Sequence, residues 1–454
     1  MPRQVTQKQR RKASLGEHPR TERLAAYPQC KSDAPRSPSS SGFKPHTMSS
    51  VLYEPEPRTD VAVPPFDTDA AVEKLAQALE ENAIQRDRDG GHATAERQLI
   101  RDSGLLALSV PRSAGGLGAD WPTVYRVVRR LAQVDSALAH VFAFHHLQVA
   151  TVLLYGNAEQ QQRLLRQTVS ESWFWGNALN PLDIRLFATT IGDGWRLDGV
   201  KSYASGSVGS DRLMLSAHVP RADGTGPALL IGQVATSSVG IELREDWDSF
   251  GQRQTDSGTV QFKAAVLPLR DVLLEPDAAQ SQRATLRPLV SQLIMANVYL
   301  GLAIGAFDAA RRYTQEEARP WFSAGVNRSA DDPYVQHRYG QLWLLIRPAQ
   351  LAADAAATSL QDALDRRHAL TAAERGATAI AISEAKVLAH RAAIEVSSQM
   401  FELTGARSTS SRHGFDRYWR NARVHTLHDP VDQKLRDIGR HKLDGRSPDP
   451  TPYS

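Results

Sequence analysis

The sequence is nearly free of cysteine, since Cys30 is the single one among 454 residues. A lone cysteine excludes a disulfide within the chain and any zinc or iron–sulfur site built from several cysteines. This scarcity is typical of proteins in a reducing compartment, so we predict a cytoplasmic location. The sequence also lacks an apolar run of about 18 residues and the shorter apolar core of a secretory signal. We therefore predict no membrane-spanning helix and no membrane partner.

A strong positive charge is missing from most of the chain. The formal net charge is +4, but residues 1–48 contain ten Lys/Arg against three Asp/Glu, a net +7 that leaves −3 for the remainder. A mildly acidic body lacks the basic surface of a nucleic-acid-binding protein, so no nucleic-acid partner is predicted. The glycine-rich segments AGGLGAD and SGSVGSD do not follow the G-x-G-x-x-G pattern between a strand and a helix, which argues against a nicotinamide site of the Rossmann type.

What the sequence does contain is a change of pattern along the chain. Residues 1–66 form a basic extension rich in proline and serine, whose composition predicts disorder. Apolar residues recur at helical spacing over 67–170, and short alternating runs over 171–280 predict an antiparallel β domain. Helical spacing returns over 281–446, and residues 447–454 are predicted to be a tail. Helices, then strands, then helices predict an α+β protein of three domains.

Six short segments occur along the chain in the order typical of one family. They are VPRSAGGLGADWPT (110–123), WFWGN (173–177), GVKSYASGSVGSD (199–211), EDWDSFGQRQTDSGTVQF (245–262), ARPW (318–321) and RYWRNARVHTLHDP (417–430). Together they resemble the acyl-CoA dehydrogenase fold, and within it the flavin-dependent monooxygenases, most closely the dibenzothiophene monooxygenases. The resemblance covers about residues 70–446. It implies a helical N-terminal domain, a central antiparallel β-barrel, a C-terminal four-helix bundle and a homotetramer.

The resemblance also implies a reaction. Reduced FMN, rather than FAD, would be supplied by a separate NAD(P)H-dependent flavin reductase and would react with O₂ to a C4a-(hydro)peroxyflavin. That species would oxygenate the sulfur of a small hydrophobic organosulfur compound such as a thioether or dibenzothiophene. The alternatives are an N-hydroxylating flavin monooxygenase, an FAD-dependent acyl-CoA dehydrogenase and a helical scaffold that binds no flavin.

The C-terminal segment departs from the acyl-CoA dehydrogenases. Many of them carry a glutamate there that abstracts an α-proton, whereas this chain reads Leu427-His428-Asp429-Pro430. A histidine can hydrogen-bond a peroxide and transfer one proton near neutral pH, so His428 is predicted to be catalytic, with His425 nearby at the cofactor. Two other interpretations stay open: a metal site of His425, His428 and Asp429, and a structural helix end. We expect no metal.

Four further residues follow from the resemblance as neighbours of the flavin. Asn177 and Ser205 would contact the reactive region of the ring and take part in catalysis. Trp247 would lie beside the ring and line the substrate pocket. Arg319 would reach the flavin phosphate of a neighbouring subunit, because a guanidinium forms a planar fork of donors. The alternative is a role in turns, for Asn177 after Gly176 and for Ser205 before Gly206.

His140 and Phe144 lie four residues apart, so a helix places them on one face. In the resembled enzymes this face carries a histidine and a tyrosine that line the active site. His140 is therefore predicted to be catalytic and Phe144 to line the substrate pocket. Because Phe144 has no hydroxyl, the pocket should be more apolar. The alternative for His140 is a buried structural histidine.

Overall fold

A computed structural model describes residues 66–221, 223–224 and 226–454 of the chain. The extension predicted for residues 1–66 therefore lies outside the described residues, apart from Phe66. The described residues divide into a helical segment, a segment of strands and a second helical segment, in the order that the sequence predicts.

The first segment is helical because its apolar residues repeat every three or four positions and its helices begin at side-chain caps. Asp67, Asp120 and Asp135 each accept hydrogen bonds from backbone N–H groups in the first turn that follows. The helices are α1 (Thr68–Glu81), α2 (Ala83–Asp89), α3 (Thr94–Asp102), α4 (Trp121–Val134), α5 (Ser136–Tyr155) and α6 (Ala158–Ser170).

The central segment forms one sheet of eight strands. They are β1 (Trp175–Ala178), β2 (Leu186–Ile191), β3 (Gly194–Lys201), β4 (Arg212–Val219), β5 (Ala228–Ala235), β6 (Ile241–Arg244), β7 (Thr259–Pro268) and β8 (Val272–Leu274). The strand order is β6-β7-β3-β2-β4-β5-β8, and β1 pairs with β4. Most neighbours are antiparallel as predicted, but β1 and β2 each run parallel to β4, so the sheet is mixed. The parallel pairing of β1 sets Asn177 beside Met214.

The C-terminal segment consists of α7 (Arg287–Glu316), α8 (Pro333–Asp365), α9 (Ala372–Thr404), α10 (Asp416–His425) and α11 (Val431–Asp444). Helices α7, α8 and α9 pack on one another, and α11 packs against α9. Helix α9 begins with a capping box of Thr371 and Glu374 and ends at Gly405, whose φ of 71° lies in the left-handed region.

Two helices form the centre of the protein. By length and composition, α5 and the segment Ala284–Glu316 that contains α7 are apolar enough to cross a membrane. Their most apolar stretches are 94% and 89% buried inside the protein, which is the pattern of core helices. Helix α5 packs against α4, α7 and β1, so its residues connect the two helical segments with the sheet.

The predicted tail at 447–454 folds back onto the bundle. Arg375 donates a hydrogen bond to the backbone oxygen of Ser454, and Lys434 donates one to that of Tyr453. Ser454 is buried. The last residues of the chain are therefore close to the C-terminal helices, and two of them line the cleft described next.

Candidate active site

A cleft of about 560 Å³ lies among α5, the start of α7, the end of α10 and the loops of the sheet. Its volume is within the usual range for cofactor and small-molecule sites. All of the predicted site residues except Arg319 line it: His140, Phe144, Asn177, Ser205, Trp247, His425 and His428. Arg319 is exposed on the loop between α7 and α8, and its predicted contact with a neighbouring subunit stays a prediction.

Two of the histidines form a buried pair. His140 Nδ1 on α5 lies 2.8 Å from His425 Nε2 at the end of α10, and the two side chains are almost completely buried. Burial lowers the pKa of His140 to about 3 and lowers that of His425 well below its ordinary value. Tyr299 donates a hydrogen bond of 2.9 Å to the backbone oxygen of His425 and thereby supports the end of α10. Both imidazoles are therefore neutral near pH 7.

The neutral pair offers a ligand both hydrogen-bonding roles. His140 Nε2 and His425 Nδ1 are buried, and neither has a hydrogen-bond partner within the part of the chain that the structure describes. Each neutral imidazole carries one N–H, and one of the two is used between the rings. Whichever ring donates, one outer nitrogen remains a donor and the other an acceptor.

His428 is held in a different way. Its side chain is 32% exposed, and its Nδ1 lies 2.9 Å from the Oδ1 of the buried Asp429. Because the carboxylate accepts a hydrogen bond, Nδ1 carries the proton and Nε2 is the nitrogen available to a ligand in the cleft. His425 and His428 thus have separate partners. Among the described residues, no group of three or more His, Cys, Asp or Glu could hold a metal ion.

Asp429 is itself supported by a buried lysine. Lys386 on α9 donates to Asp429 Oδ1 and, at 2.6 Å, to Gln292 Oε1 on α7. Burial alone would raise the pKa of Asp429, but the hydrogen bond from His428 and the charge of Lys386 outweigh it and lower the pKa below its usual range. Burial lowers the pKa of Lys386 to about 8, although Asp429 opposes this shift. The lysine and the carboxylate stabilise each other's charge and fix His428.

The lining of the cleft also carries amides and hydroxyls. The amide oxygen of Asn177 accepts a hydrogen bond of 3.0 Å from Gln148. Its amide nitrogen has no acceptor among the described residues and can donate to a ligand. Ser205 Oγ lies 2.8 Å from Ser257 Oγ, and the latter lies 2.7 Å from Thr255 Oγ1. The backbone N–H of Asn177 donates to the carbonyl of Ser205 at 3.0 Å, so β1 and the loop after β3 hold their polar side chains together.

Trp247 and Phe144 supply the flat apolar surfaces. The indole N–H of Trp247 donates to the carbonyl of Gln252 at 2.9 Å, which fixes the ring at the edge of the cleft. Phe144 stacks on His140 with ring centroids 4.0 Å apart and planes 30° apart. Tyr453 of the C-terminal tail meets His428 edge to face with centroids 5.5 Å apart.

The residues present fit a flavin. A flat heteroaromatic ring with N–H and C=O groups on one edge needs aromatic surface together with donors and acceptors, and this cleft supplies both. Four buried atoms on its wall have no hydrogen-bond partner among the described residues, namely His140 Nε2, His425 Nδ1, Gln252 Oε1 and Arg287 Nη2. Such atoms are costly to bury without a ligand.

Several residues of the site were missed by the sequence reasoning. Lys386 carried a signal, because it stands within the apolar stretch AISEAKVLAH of a predicted helix. The sequence suggests Asp429 as a possible metal ligand but not as the partner that orients His428. Gln148 carries the same kind of signal, because it stands within the apolar stretch HLQVATVLL, whereas Tyr453 lies in a short polar tail and carries none.

The family models agree with this architecture. The model "Acyl-CoA dehydrogenase, N-terminal domain" matches residues 68–172, and "Acyl-CoA dehydrogenase, C-terminal domain" matches residues 293–433. The two matches flank the central sheet and cover more than half of the chain together.

Individual proteins match over nearly the whole described region. A probable FMNH₂-dependent monooxygenase SfnC of Pseudomonas putida is 45% identical over 87% of this chain and 99% of its own length. A dibenzothiophene monooxygenase of Rhodococcus qingshengii is 43% identical over 84% of this chain and 94% of its own length. The solved structure of methanesulfinate monooxygenase MsuC from Pseudomonas fluorescens has a TM-score of 0.83 and 44% identity, covering 86% of this chain and all of that one.

The chain therefore belongs to the acyl-CoA dehydrogenase family. Within that family it belongs to the FMNH₂-dependent monooxygenases rather than to the dehydrogenases. This confirms the resemblance stated from the six sequence segments, the predicted fold and FMN as the cofactor. The individual roles assigned to the site residues stay predictions.

Proposed function

We propose that this protein oxygenates the sulfur of an organosulfur compound with reduced FMN and O₂. The observation that carries the proposal is the anchored imidazole of His428, which lines the cleft and is held by Asp429 at 2.9 Å. Removal of an α-proton from a thioester needs a carboxylate base over the substrate. In this chain the carboxylate at that place is buried and engaged by Lys386 and His428.

Bound reduced FMN would activate O₂, so that one oxygen atom is transferred to sulfur and the other leaves as water. Asn177 and Ser205 would hold the polar edge of the ring, and Trp247 would cover one side of it. His428 would exchange a proton through Nε2 where the oxygen is activated, while its Nδ1 stays hydrogen-bonded to Asp429. The His140–His425 pair would add one donor and one acceptor without adding charge. Phe144 and Leu147 would exclude water from the substrate.

The supply of electrons is part of the proposal. The chain has no nicotinamide fingerprint in its sequence, so a separate NAD(P)H-dependent flavin reductase would deliver reduced FMN, by diffusion or in a transient complex. Replacing the reductase with chemically reduced FMN should then support a single turnover.

We also propose a homotetramer in the cytoplasm. Large apolar side chains are exposed on α8 and the loop before it, including Trp321 at 69% and Phe322 at 88%, and such patches mark subunit interfaces. Light scattering on the purified protein should give a mass four times the 49.9 kDa of the chain. The lone cysteine supports the cytoplasmic location, which cell fractionation tests.

The experiment that tests the proposed activity uses the protein with FMN, a flavin reductase, NADH and ¹⁸O₂. Thioethers, dibenzothiophene, sulfinates and amines are offered separately, and products are analysed by mass spectrometry. We expect one ¹⁸O atom on the sulfur of at least one organosulfur compound. Oxygenation of amines alone, or anaerobic desaturation of a coenzyme A thioester, contradicts the proposal.

A further inference from the structure

Arg287 is a buried cation on the wall of the cleft that the reaction described above does not use. It is the first residue of α7 and is 8% exposed. Its Nε donates to Thr151 Oγ1 at 3.2 Å, whereas its Nη2 is buried without a hydrogen-bond partner among the described residues. A guanidinium nitrogen that is buried and unpaired is costly unless a ligand accepts its hydrogen bond.

The unpaired Nη2 sets Arg287 apart from the other buried arginines of the described chain. Each of the others donates at least two guanidinium hydrogen bonds to acidic side chains, other side-chain oxygens or backbone carbonyls. These are Arg86, Arg97, Arg129, Arg375 and Arg417. Each of these five guanidinium groups therefore has an acceptor at a terminal nitrogen, although the Nε of Arg86 and that of Arg97 lack one, whereas Arg287 donates only from its Nε among the described residues.

No carboxylate of the described residues neutralises this charge. Arg287 takes part in none of the ion pairs within 4.0 Å. Asp248 is the one acidic residue among those that line the cleft, and it is exposed on the loop that carries Trp247. Burial lowers the pKa of Arg287 to about 10, which still keeps it protonated at neutral pH. The partial positive charge at the N-terminus of α7 adds to that of the guanidinium.

A short series of polar contacts lies between Arg287 and the centre of the site. Thr151 Oγ1, which accepts from Arg287, donates to the backbone oxygen of Leu147 at 2.8 Å and lies 3.3 Å from Gln148 Oε1, and Gln148 donates to Asn177 Oδ1 at 3.0 Å. Asn177 is the amide predicted to face the ring of the cofactor. The free donors of Arg287 are therefore in the same cleft as the reacting groups and within a few side chains of them.

We propose that Arg287 binds the acid group of the substrate, and that the substrate is an organic sulfinate. This inference rests on the proposed function. A sulfinate carries its negative charge and an oxidisable sulfur lone pair in one group, so an arginine that holds its oxygens also positions its sulfur. Its sulfur gains one oxygen atom of O₂ and becomes a sulfonate, the second atom leaves as water, and reduced FMN supplies two electrons and two protons.

The phosphate of FMN is also an oxyanion that a guanidinium can bind. The experiment therefore has to distinguish the sulfinate from the FMN phosphate as the group that Arg287 holds. The protein is loaded with oxidised FMN, and methanesulfinate, benzenesulfinate or the neutral thioanisole is titrated while the flavin absorbance is recorded. Affinities for FMN and for riboflavin, which lacks the phosphate, are measured in parallel. The variants are Arg287→Met and Arg287→Lys, with Arg283→Met as the control because Arg283 is half-buried near the same helix start but does not line the cleft.

We expect Arg287→Met to weaken sulfinate binding at least about 10-fold, since a charged hydrogen bond is lost. Arg287→Lys should keep part of the affinity because the charge remains and the planar fork does not. Thioanisole, FMN and riboflavin should bind as in the wild type, and Arg283→Met should leave all affinities unchanged. A loss of FMN affinity without a loss of riboflavin affinity assigns Arg287 to the phosphate and overturns the proposal. An equal loss for sulfinate and thioanisole, or no loss, also overturns it.

A measurement on the wild type keeps the proposal testable if the variants do not fold. Benzenesulfonate has the same charge but no sulfur lone pair, so it should compete with benzenesulfinate, whereas the neutral methyl phenyl sulfone should not. Competition by the sulfone as strong as that of the sulfonate contradicts the inference. If sulfinate binds through Arg287 but no sulfur compound is oxygenated, the proposed function fails while the assignment of Arg287 stands.

Discussion

Two groups of histidines face the same cleft and are built in opposite ways. His140 and His425 lie 2.8 Å apart in a fully buried pair without a charged partner, and burial lowers the pKa of both. His428 is partly exposed and is held by a carboxylate that a buried lysine supports. The first arrangement excludes a positive charge, and the second fixes an imidazole beside a carboxylate. The same residue type therefore serves as a neutral hydrogen-bonding wall in one place and as a group that can exchange a proton in the other.

Removal of the partly exposed imidazole of His428 should have the largest effect on product formation. We expect His428→Ala to bind FMN normally but to form product about 100-fold more slowly or worse, with electrons lost to hydrogen peroxide, because the imidazole that can exchange a proton at the site of oxygen activation is gone. Product and peroxide are measured for each NADH consumed. His368→Ala, at an exposed position that does not line the cleft, should behave as the wild type. Undiminished product formation in His428→Ala removes His428 from the mechanism.

A second change removes the carboxylate that holds His428. Asp429→Asn leaves the charge of Lys386 buried without its carboxylate, so the free energy of unfolding should fall by about 3–5 kcal/mol in urea titrations. The double variant Lys386→Met/Asp429→Asn should recover part of that loss, because it removes the uncompensated charge. A double variant less stable than Asp429→Asn contradicts the view that the two residues stabilise each other.

The neutral pair predicts a pH dependence of stability. The pKa of His140 is about 3 in the folded protein and about 6.5 when unfolded, so below pH 6.5 the unfolded chain binds more protons and the free energy of unfolding falls as the pH falls. Between pH 6 and 5, His140→Gln should make this decrease shallower by about 1 kcal/mol per pH unit. Urea titrations at several pH values measure it. His368→Gln is the control, and an unchanged slope in His140→Gln argues that His140 is not kept neutral.

The smallest expected effect concerns the ring stacked on the neutral pair. Phe144→Tyr adds a hydroxyl to the apolar side of the cleft and should shift the ratio of kcat/KM between a sulfoxide and its thioether about 3- to 10-fold toward the sulfoxide. Phe144→Leu, which removes the ring without adding a polar group, is the control. An identical ratio in Phe144→Tyr and the wild type places Phe144 away from the substrate.

The sequence predicted the parts of the site that come with local patterns. Helical spacing placed His140 and Phe144 on one face of α5, and the departure at residues 427–430 pointed to His428. What it did not predict depends on distant contacts. Lys386 meets Asp429 across 43 residues of sequence, and a single chain does not indicate which carboxylate a buried lysine will find. The parallel pairing of β1 with β4 was missed for the same reason, because alternation marks a strand but not its neighbour.

Neutron diffraction from crystals of the FMN-loaded enzyme at about pH 5.5 tests the contrast between the two groups of histidines most directly, because it reveals deuterium on each ring nitrogen. We predict one deuterium on His140 and one on His425, a single one of them between the two rings, and a deuterium on Nδ1 of His428 directed at Asp429. Two deuterium atoms on either ring of the buried pair, or none between His428 and Asp429, would contradict the account.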